Sequence, residues 1–436
     1  MFTINHSEEL SVELLHKMFS KFQTTVAPRL LKYKNYYDGA QAILSKCYTD
    51  KSKPCNRTTT NYCKNITDAY CGYIASPGYI SYHSDADIED IMNVLRYNDS
   101  QAEDSDLLLD ALIYGVAAEL MYIDNDSKTR FRTISPQQCF GIFDDCLTND
   151  LLYFVRFYPQ SQWSDTNTYN VDVYSDTEIK HYTMTGMGGA LTLIGVERHY
   201  FNQCPANIFY MPDEKSIFDC IMSLQDSYNE LLTSEIDDYS AFVDAFLTLT
   251  GVDAETDDIA QMKENRVLVL PEGAQANWLT KNANDAQVEN ILKRLHDSIY
   301  RIAQCPDFSN DVFNSAQSGI AIRFKLTNME CRASKIVALM KKALQRRIEI
   351  ICGIASLKLG EEVYRDIDIV FKRNIPNDDA VIIQTVNSLR GLVSDETLLS
   401  MVPQVENPLE EIEKVKKQRE TQMSLYNFGD GGGDEQ

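Results

Sequence analysis

Asp85, Asp87, Glu89 and Asp90 put four carboxylates within six positions. That density suits a hydrolytic metal site, but such a site needs further carboxylate or histidine ligands, and the sequence offers no identifiable partners. Acidic residues also favour the first turn of a helix, where they complement the dipole, and the cluster is read that way. Asp144-Asp145 is read as a turn. Gly186-Met187-Gly188-Gly189 lacks the later glycine of a dinucleotide fingerprint and lies among strand-like runs, so it is read as a hairpin turn. No GxxxxGK[ST] loop is present to hold the phosphates of a nucleotide, and no HExxH or GxSxG occurs. The six histidines are scattered, and the eleven cysteines form no CxxC pair and no zinc-spaced cluster. Most cysteines, such as Cys220 and Cys352, sit in apolar contexts and are expected to be reduced core thiols. The chain is therefore expected to have no catalytic site, no metal and no cofactor.

The bulk numbers fit two or three structural units: 436 residues, 44% of them hydrophobic. The formal charge is −23, so the net field does not attract nucleic acid. Met1-Phe2-Thr3-Ile4-Asn5-His6 has neither a basic n-region nor an apolar h-region, and no signal peptide is expected. The most apolar stretch, Ile348 to Leu357, is too short to span a bilayer.

Residues that must be positioned need elements to carry them. Residues 8–46, Asn61 to Ile74, Asp85 to Tyr97 and Asp104 to Gly115 read as helical. Between 116 and 210 the character changes to strands, including Glu119 to Ile123, Leu151 to Phe157 and Tyr169 to Tyr174. From Asp213 to about Phe246 there is no Gly or Pro. Apolar residues recur there in threes and fours at Ile217, Ile221, Leu224, Tyr228, Leu231, Leu232, Ile236, Tyr239, Val243 and Phe246, predicting one helix of about 50 Å with a heptad-like seam. Strand-like Val267 to Leu270 follows, then a helix over Ala286 to Ala303, closed by Pro306. Asp307 to Gln317 is polar and irregular. A third helix runs from Ser318 to Ile351, and Ile367 to Phe371 reads as a strand. Ser394 and Asn407-Pro408 are helix starts.

In this order and spacing the chain resembles the portal proteins of tailed double-stranded DNA bacteriophages with long non-contractile tails. The resemblance extends from about Tyr36 to Glu413. It rests on Tyr36-Tyr37-Asp38-Gly39, Asn61 to Ile66, Ala111 to Gly115 leading into Glu119 to Tyr122, and Ile134-Ser135-Pro136 with Asp144-Asp145. Later passages are Leu247 to Gly251, Trp278 to Lys281, Cys305-Pro306-Asp307, Ser318 to Ala321 and Arg373 to Pro376.

It implies an α+β portal fold. A mixed α/β wing would occupy residues 1–212 with the strand at 366–376, and stem helices 213–245 and 285–305. A small α/β clip would lie at 246–284, a tunnel loop at 306–318, and a long channel-side helix at 319–358. Residues 377–436 would form short crown-like helices and a disordered tail. It further implies a homo-oligomeric ring, usually a dodecamer, at one capsid vertex of the virion, assembled in the bacterial cytoplasm. Its partners would be the terminase large subunit, the head–tail adaptor, capsid and scaffold proteins, and double-stranded DNA passing non-specifically, with no membrane.

Residues for these roles follow. Ser309, Asn310, Asp311, Val312, Phe313, Asn314, Ser315 and Gln317 would form the loop facing DNA, where neutral amides suit sliding contact. Asp226, Glu230, Glu235, Asp237 and Asp238 would give either a solvated acidic face or an acidic channel wall that repels phosphate. Trp278 would anchor the clip interface, or pack inside it. On the third helix Arg323, Lys325, Arg332, Lys335, Lys341, Lys342, Arg346 and Arg347 outnumber Glu330 and Glu349; these cations are expected to pair with acids of a neighbouring subunit or of the stem rather than with DNA. The rival functions are a DNA-processing nuclease or other packaging-motor subunit, and a minor capsid or head–tail connector protein.

Overall fold

A computed structural model of the chain describes residues 2–5, 8–48, 54–76, 78–161, 163, 167–242, 246–250, 275–279, 285–308, 319–354, 363–373 and, with gaps, 384–419. It has an α+β fold. Two compact units divide the chain: a larger one of residues 1–310 and 325–374, and a smaller one of residues 311–324 and 375–436.

The larger unit is built on a six-stranded sheet. Strands β5 (Cys139–Asp144), β6 (Leu151–Pro159), β7 (Thr168–Tyr174), β8 (Glu178–Thr185) and β9 (Leu191–Arg198) form an antiparallel meander, and β1 (Phe2–Ile4) adds in parallel beside β5. The β8–β9 connection carries the Gly186–Gly189 turn, with Gly186 and Gly188 at positive φ. One face of the sheet is covered by helix α1 (Val12–Lys21) and helix α2 (Ala27–Asp38). Phe19 and Phe22 stack edge-on against Phe157, with centroids 5.3 and 5.4 Å away, and both rings also meet Phe140. These two helices are joined by a π-helical turn, Phe22–Val26. The cause is Pro28, whose missing N–H and bulky ring cannot continue an α-helical ladder. The Ala27 amide reaches back five residues to Phe22, and the Thr24 hydroxyl donates to the Ser20 carbonyl at 2.9 Å. The helical run expected over 8–46 is thus interrupted, and it ends at Gly39, which caps α2 at φ +85°.

A second, three-stranded sheet has the order β10 (Ala206–Tyr210), β3 (Val116–Ile123), β4 (Thr129–Ile134). A third pairs β2 (Ile80–His83) with β13 (Asp368–Phe371), which is the strand expected near 367–371. Helix α3 (Tyr62–Ile74), α4 (Glu89–Tyr97) and α5 (Ser100–Tyr114) complete this part. Glu89 and Asp90 fall in the first turn of α4, where the dipole reading put them. Asp144 ends β5 buried, and its carboxylate accepts the Asp150 amide at 2.8 Å, closing the connection to β6.

Helix α8 (Gly319–Cys352) is the longest in the chain among the described elements. Its Arg347 is fully buried between two acids, Asp104 of α5 and Glu119 of β3. The Arg347 Nε donates to Glu119 at 2.8 Å, a terminal nitrogen lies 2.5 Å from the same carboxylate, and the other terminal nitrogen donates to Asp104. The guanidinium stacks 4.3 Å from the Phe131 ring centroid. Burial works against the guanidinium's charge, but the Asp104 and Glu119 carboxylates hold its pKa well above the ordinary value; burial pushes the Asp104 carboxyl up. Glu330 ties the middle of α8 down in the same way. It accepts from Tyr73 at 2.7 Å and from the Arg373 fork at 2.9 and 3.0 Å.

Several cations of α8 are used inside the subunit. Besides Arg347, Lys341 pairs with Asp368 and Arg346 with Glu349. None of these three pairs involves the helix that follows Pro212. Of the cysteines, Cys63, Cys71, Cys139, Cys204, Cys305 and Cys352 are buried, whereas Cys220 is exposed, contrary to its apolar sequence context. No described helix is long and apolar enough to cross a membrane. In the smaller unit, helix α9 (Asp395–Ser400) starts where Ser394 caps it, the Ser394 Oγ accepting the Thr397 amide at 3.3 Å.

Removing Arg347 leaves two buried carboxylates facing each other. Arg347→Ala should lower stability by about 3–5 kcal/mol, read from urea unfolding monitored by circular dichroism. A second outcome concerns Asp110 on α5. Burial, then the neighbouring Asp106, raises its pKa from 3.8 to about 7. Between those values the folded chain binds a proton that the unfolded chain has released, so this group's contribution to stability falls as pH rises through the window. Asp110→Asn should flatten the difference in urea midpoint between pH 5 and pH 8.

Candidate functional site

Among the described residues no group of His, Cys, Asp and Glu is arranged to hold a metal ion. The one close His–carboxylate contact with a catalytic look is His181 Nδ1, 2.7 Å from Asp172 Oδ1. These residues face each other across β7 and β8 in register, a cross-strand pair that stabilises the sheet.

The site with architecture is a helix pair. Helix α6 (Met222–Phe242) and α7 (Asp285–Ala303) pack against one another. Between them in sequence, β11 (Phe246–Thr250) and β12 (Gln275–Leu279) form an antiparallel ladder, with Leu247 opposite Trp278. The expected strand Val267 to Leu270 lies outside the described residues. So do all eight loop residues, Ser309, Asn310, Asp311, Val312, Phe313, Asn314, Ser315 and Gln317.

The first helix starts later than its sequence predicts. Residues 212–214 and 219–221 form short 3-10 turns, and α6 is 21 residues long, about 31 Å at 1.5 Å per residue. It also stops before Phe246, which begins a strand. The delay has a physical cause. Asp213 and Glu214 sit at φ 59° and 51°, outside the helical region, where the chain passes over Gly115. A Cβ on Gly115 would lie 2.6 Å from the Glu214 backbone, and Gly115 is itself at φ +76°. Its carbonyl accepts the Met211 amide at 2.9 Å, and the Leu112 carbonyl accepts the Ile217 amide at 2.9 Å. The end of α5 is thus the launching point of α6.

One guanidinium holds the roots of both helices. Arg332 of α8 donates to the Ala303 carbonyl at the end of α7 at 2.8 Å and to the Ile217 carbonyl ahead of α6 at 2.6 Å. The Tyr70 hydroxyl adds donation to Ala303 and Gln304 carbonyls at 3.1 and 3.0 Å, and the Arg332 guanidinium lies 5.6 Å from the Tyr70 ring. Carbonyls at a helix C-terminus lack intrahelical partners, so cationic and hydroxyl donors satisfy them here. Tyr62 wedges between the pair, 5.3 Å from Tyr228 of α6 and 5.5 and 5.8 Å from His296 and Tyr300 of α7.

Along α6 runs a polar ladder. Gln225, Asn229, Thr233 and Asp237, spaced four apart on one helical face, are all buried. They accept the backbone amides of Tyr62, Thr60, Thr58 and Asn56 at 3.0, 2.9, 3.3 and 2.7 Å. Every second amide of the segment 56–62 is used, the period of extended backbone, so the helix side chains stand in for a neighbouring strand. Asp237 also takes Lys46 at 3.3 Å and Tyr48 at 3.3 Å. Burial opposes its ionisation, but the Asn56 amide donors and Lys46 hold its carboxyl below the usual range. Asp226 accepts from Tyr36 at 2.7 Å. Asp226 and Asp237, both singled out in the sequence, are therefore held within the subunit. Glu230 and Asp238 are exposed and Glu235 is half-buried.

The passages that carried the resemblance converge here. Tyr36 reaches α6, Asn61 caps α3 and donates to the Tyr37 carbonyl at 2.8 Å, Gly115 seats the launch of α6, and buried Cys305 follows α7. Residues 18–425 match the family described as phage portal protein, SPP1 Gp6-like. The chain belongs to this portal protein family. It is also 21% identical to the portal protein of Bacillus phage SPP1, over 93% of this chain and 84% of the relative. Its function is accordingly that of a phage portal protein in viral DNA packaging. Sequence reasoning named Arg332 only as one cation among several, and missed its clamp, Tyr70 and the ladder. The four-residue spacing of Gln225, Asn229, Thr233 and Asp237 was the available signal for the last.

Asn229→Ala should strand the Thr60 amide beside the helix. The expected loss is about 1–3 kcal/mol, measured as a lowered urea midpoint, with faster hydrogen exchange confined to residues 56–62 and α6.

Proposed function

We propose that the chain assembles into a closed ring, a dodecamer by resemblance, at one capsid vertex, and that double-stranded DNA passes through it during packaging and ejection. The observation that carries this reading is the rooted helix pair α6–α7 with the β11–β12 ladder between its two arms. Fixed at one end by Arg332 and Tyr70, such a pair projects its connecting strands away from the body of the subunit. In this reading residues 213–245 and 285–305, which contain α6 and α7, are the stem, residues 246–284 the clip, residues 1–212 with the strand at 366–376 the wing, residues 319–358 the channel-side helix, and residues 377–436 the crown.

Exposed Glu230 and Asp238, with Glu235, would turn carboxylates toward the channel and repel phosphate, so that DNA slides rather than sticks. Residues 309–317, rich in small amides and hydroxyls, would touch the duplex without a salt-dependent grip. The clip, with Trp278, would dock the terminase large subunit during packaging and the head–tail adaptor afterwards. Capsid and scaffold proteins would surround the wing. The protein acts in the virion without a catalytic site of its own.

Purified protein should appear as rings with a central hole by negative stain, and light scattering should give a mass near twelve times 49.7 kDa. A stable monomer at micromolar concentration overturns the reading. Deleting residues 309–317 should leave rings intact but abolish packaging or retention of DNA; normal packaging by that variant removes the loop from the channel.

A further inference from the structure

Two surfaces of the larger unit are left uncovered among the described residues, and they lie toward opposite ends of one sheet. The first is β9, which among the described strands pairs only with β8. Leu193, Ile194 and Val196 are 52, 64 and 52% exposed. Their register explains why. His181 faces Gly195 and Tyr182 faces Leu193, so Ile194 is an extra residue, a bulge without a counterpart on β8. A bulge disrupts the ladder and re-aims its side chain, which discourages another strand from adding along this edge. What β9 presents is an apolar knob centred on Ile194, with Glu197 exposed beside it.

The second surface is a cleft of about 850 Å³ between α8 and the β5–β6 end of the sheet. It runs along β10, which pairs only with β3 among the described strands. Phe143, Leu151, Ile208 and Leu339 supply apolar walls, Lys342 supplies a cation, and Arg346 and Glu349 line the cleft as an ion pair, with Asp150 beyond them. From β5 to β9 the sheet takes four strand steps, about 19 Å at 4.8 Å per step. A subunit's own knob therefore does not reach its own cleft.

We infer that the Ile194 knob of one copy seats in the α8–β10 cleft of the next copy, with Glu197 directed toward Lys342. This rests on the ring reading above. A rotational ring is made by head-to-tail contacts, in which two different surfaces of the same chain meet. An apolar knob beside Glu197, and a partly apolar cleft that carries Lys342, toward opposite ends of one sheet, meet that requirement. Exposed apolar groups of this kind mark interaction surfaces.

The test uses the full-length chain with the photo-cross-linking residue p-benzoylphenylalanine at position 194, irradiated in assembled rings formed from isotopically labelled and unlabelled subunits. Cross-linked peptides joining position 194 to residues 143–151 or 339–349 of another copy are expected. Rings that cross-link elsewhere, including 194 to 194, or not at all, overturn the contact while leaving the ring reading intact. In parallel, Ile194→Lys should keep the melting temperature of the subunit, because the side chain is exposed there, yet reduce the ring fraction at micromolar concentration at least ten-fold. Unchanged ring formation by Ile194→Lys overturns the inference. Failure of the unsubstituted chain to form rings overturns both.

Discussion

The buried guanidinium of Arg347 is the constraint on which the larger unit depends. Its two acids come from α5 and β3, 243 and 228 positions earlier in the chain. An ion taken out of water costs several kcal/mol unless its geometry and hydrogen bonds are satisfied. Only one placement of α8 against α5 and the three-stranded sheet meets that condition. A seam of leucines would tolerate a shifted helix; this contact does not. Everything α8 carries is registered by it: the Glu330 fork to Arg373, the Arg332 clamp on α6 and α7, and the Ala343 carbonyl that accepts Asn207 of β10 at 2.8 Å.

The order of elements was largely legible in the sequence, because periodicity reports element type. The strand over Tyr169 to Tyr174, the helix closing at Ala303 and the Ser394 cap are all present as read. What periodicity could not tell was which face of α6 is covered. Its apolar positions suggested a buried seam, yet Tyr239 is 76% exposed, while Gln225, Asn229 and Thr233 are fully buried. The reason is that the segment 54–62 brings backbone amides to the helix, and amides need acceptors more than they need apolar contact. A single-sequence pattern assigns such polar residues to solvent. The same limit applies to Arg347, which reads as one cation in a basic helix until its acids are brought beside it by the fold.

The candidate site was legible as architecture and illegible as chemistry. Two helices flanking an insertion could be seen from the absence of Gly and Pro, but α6 begins nine residues past Asp213. Nothing local in the helix sets that start. It is set by Gly115, a hundred residues away, which lets the chain cross α5 closely and turn through two left-handed residues. The Gly115 passage was noticed as part of a family resemblance; its role needed the fold.

The ladder on α6 also has an intrinsic length. Four helical residues advance about 6.0 Å, whereas two extended residues advance about 6.6 Å. The two scales behave as a vernier, drifting by about 0.6 Å per rung and nearly 2 Å over three steps. That is more than a hydrogen bond absorbs without bending. Coincidence is therefore confined to a few rungs; past Asp237 the strap contact is the Asn56 side chain donating to the Ser240 hydroxyl at 3.4 Å. The length of extended chain that such a helix can hold is set by the two rises and not by its side chains alone.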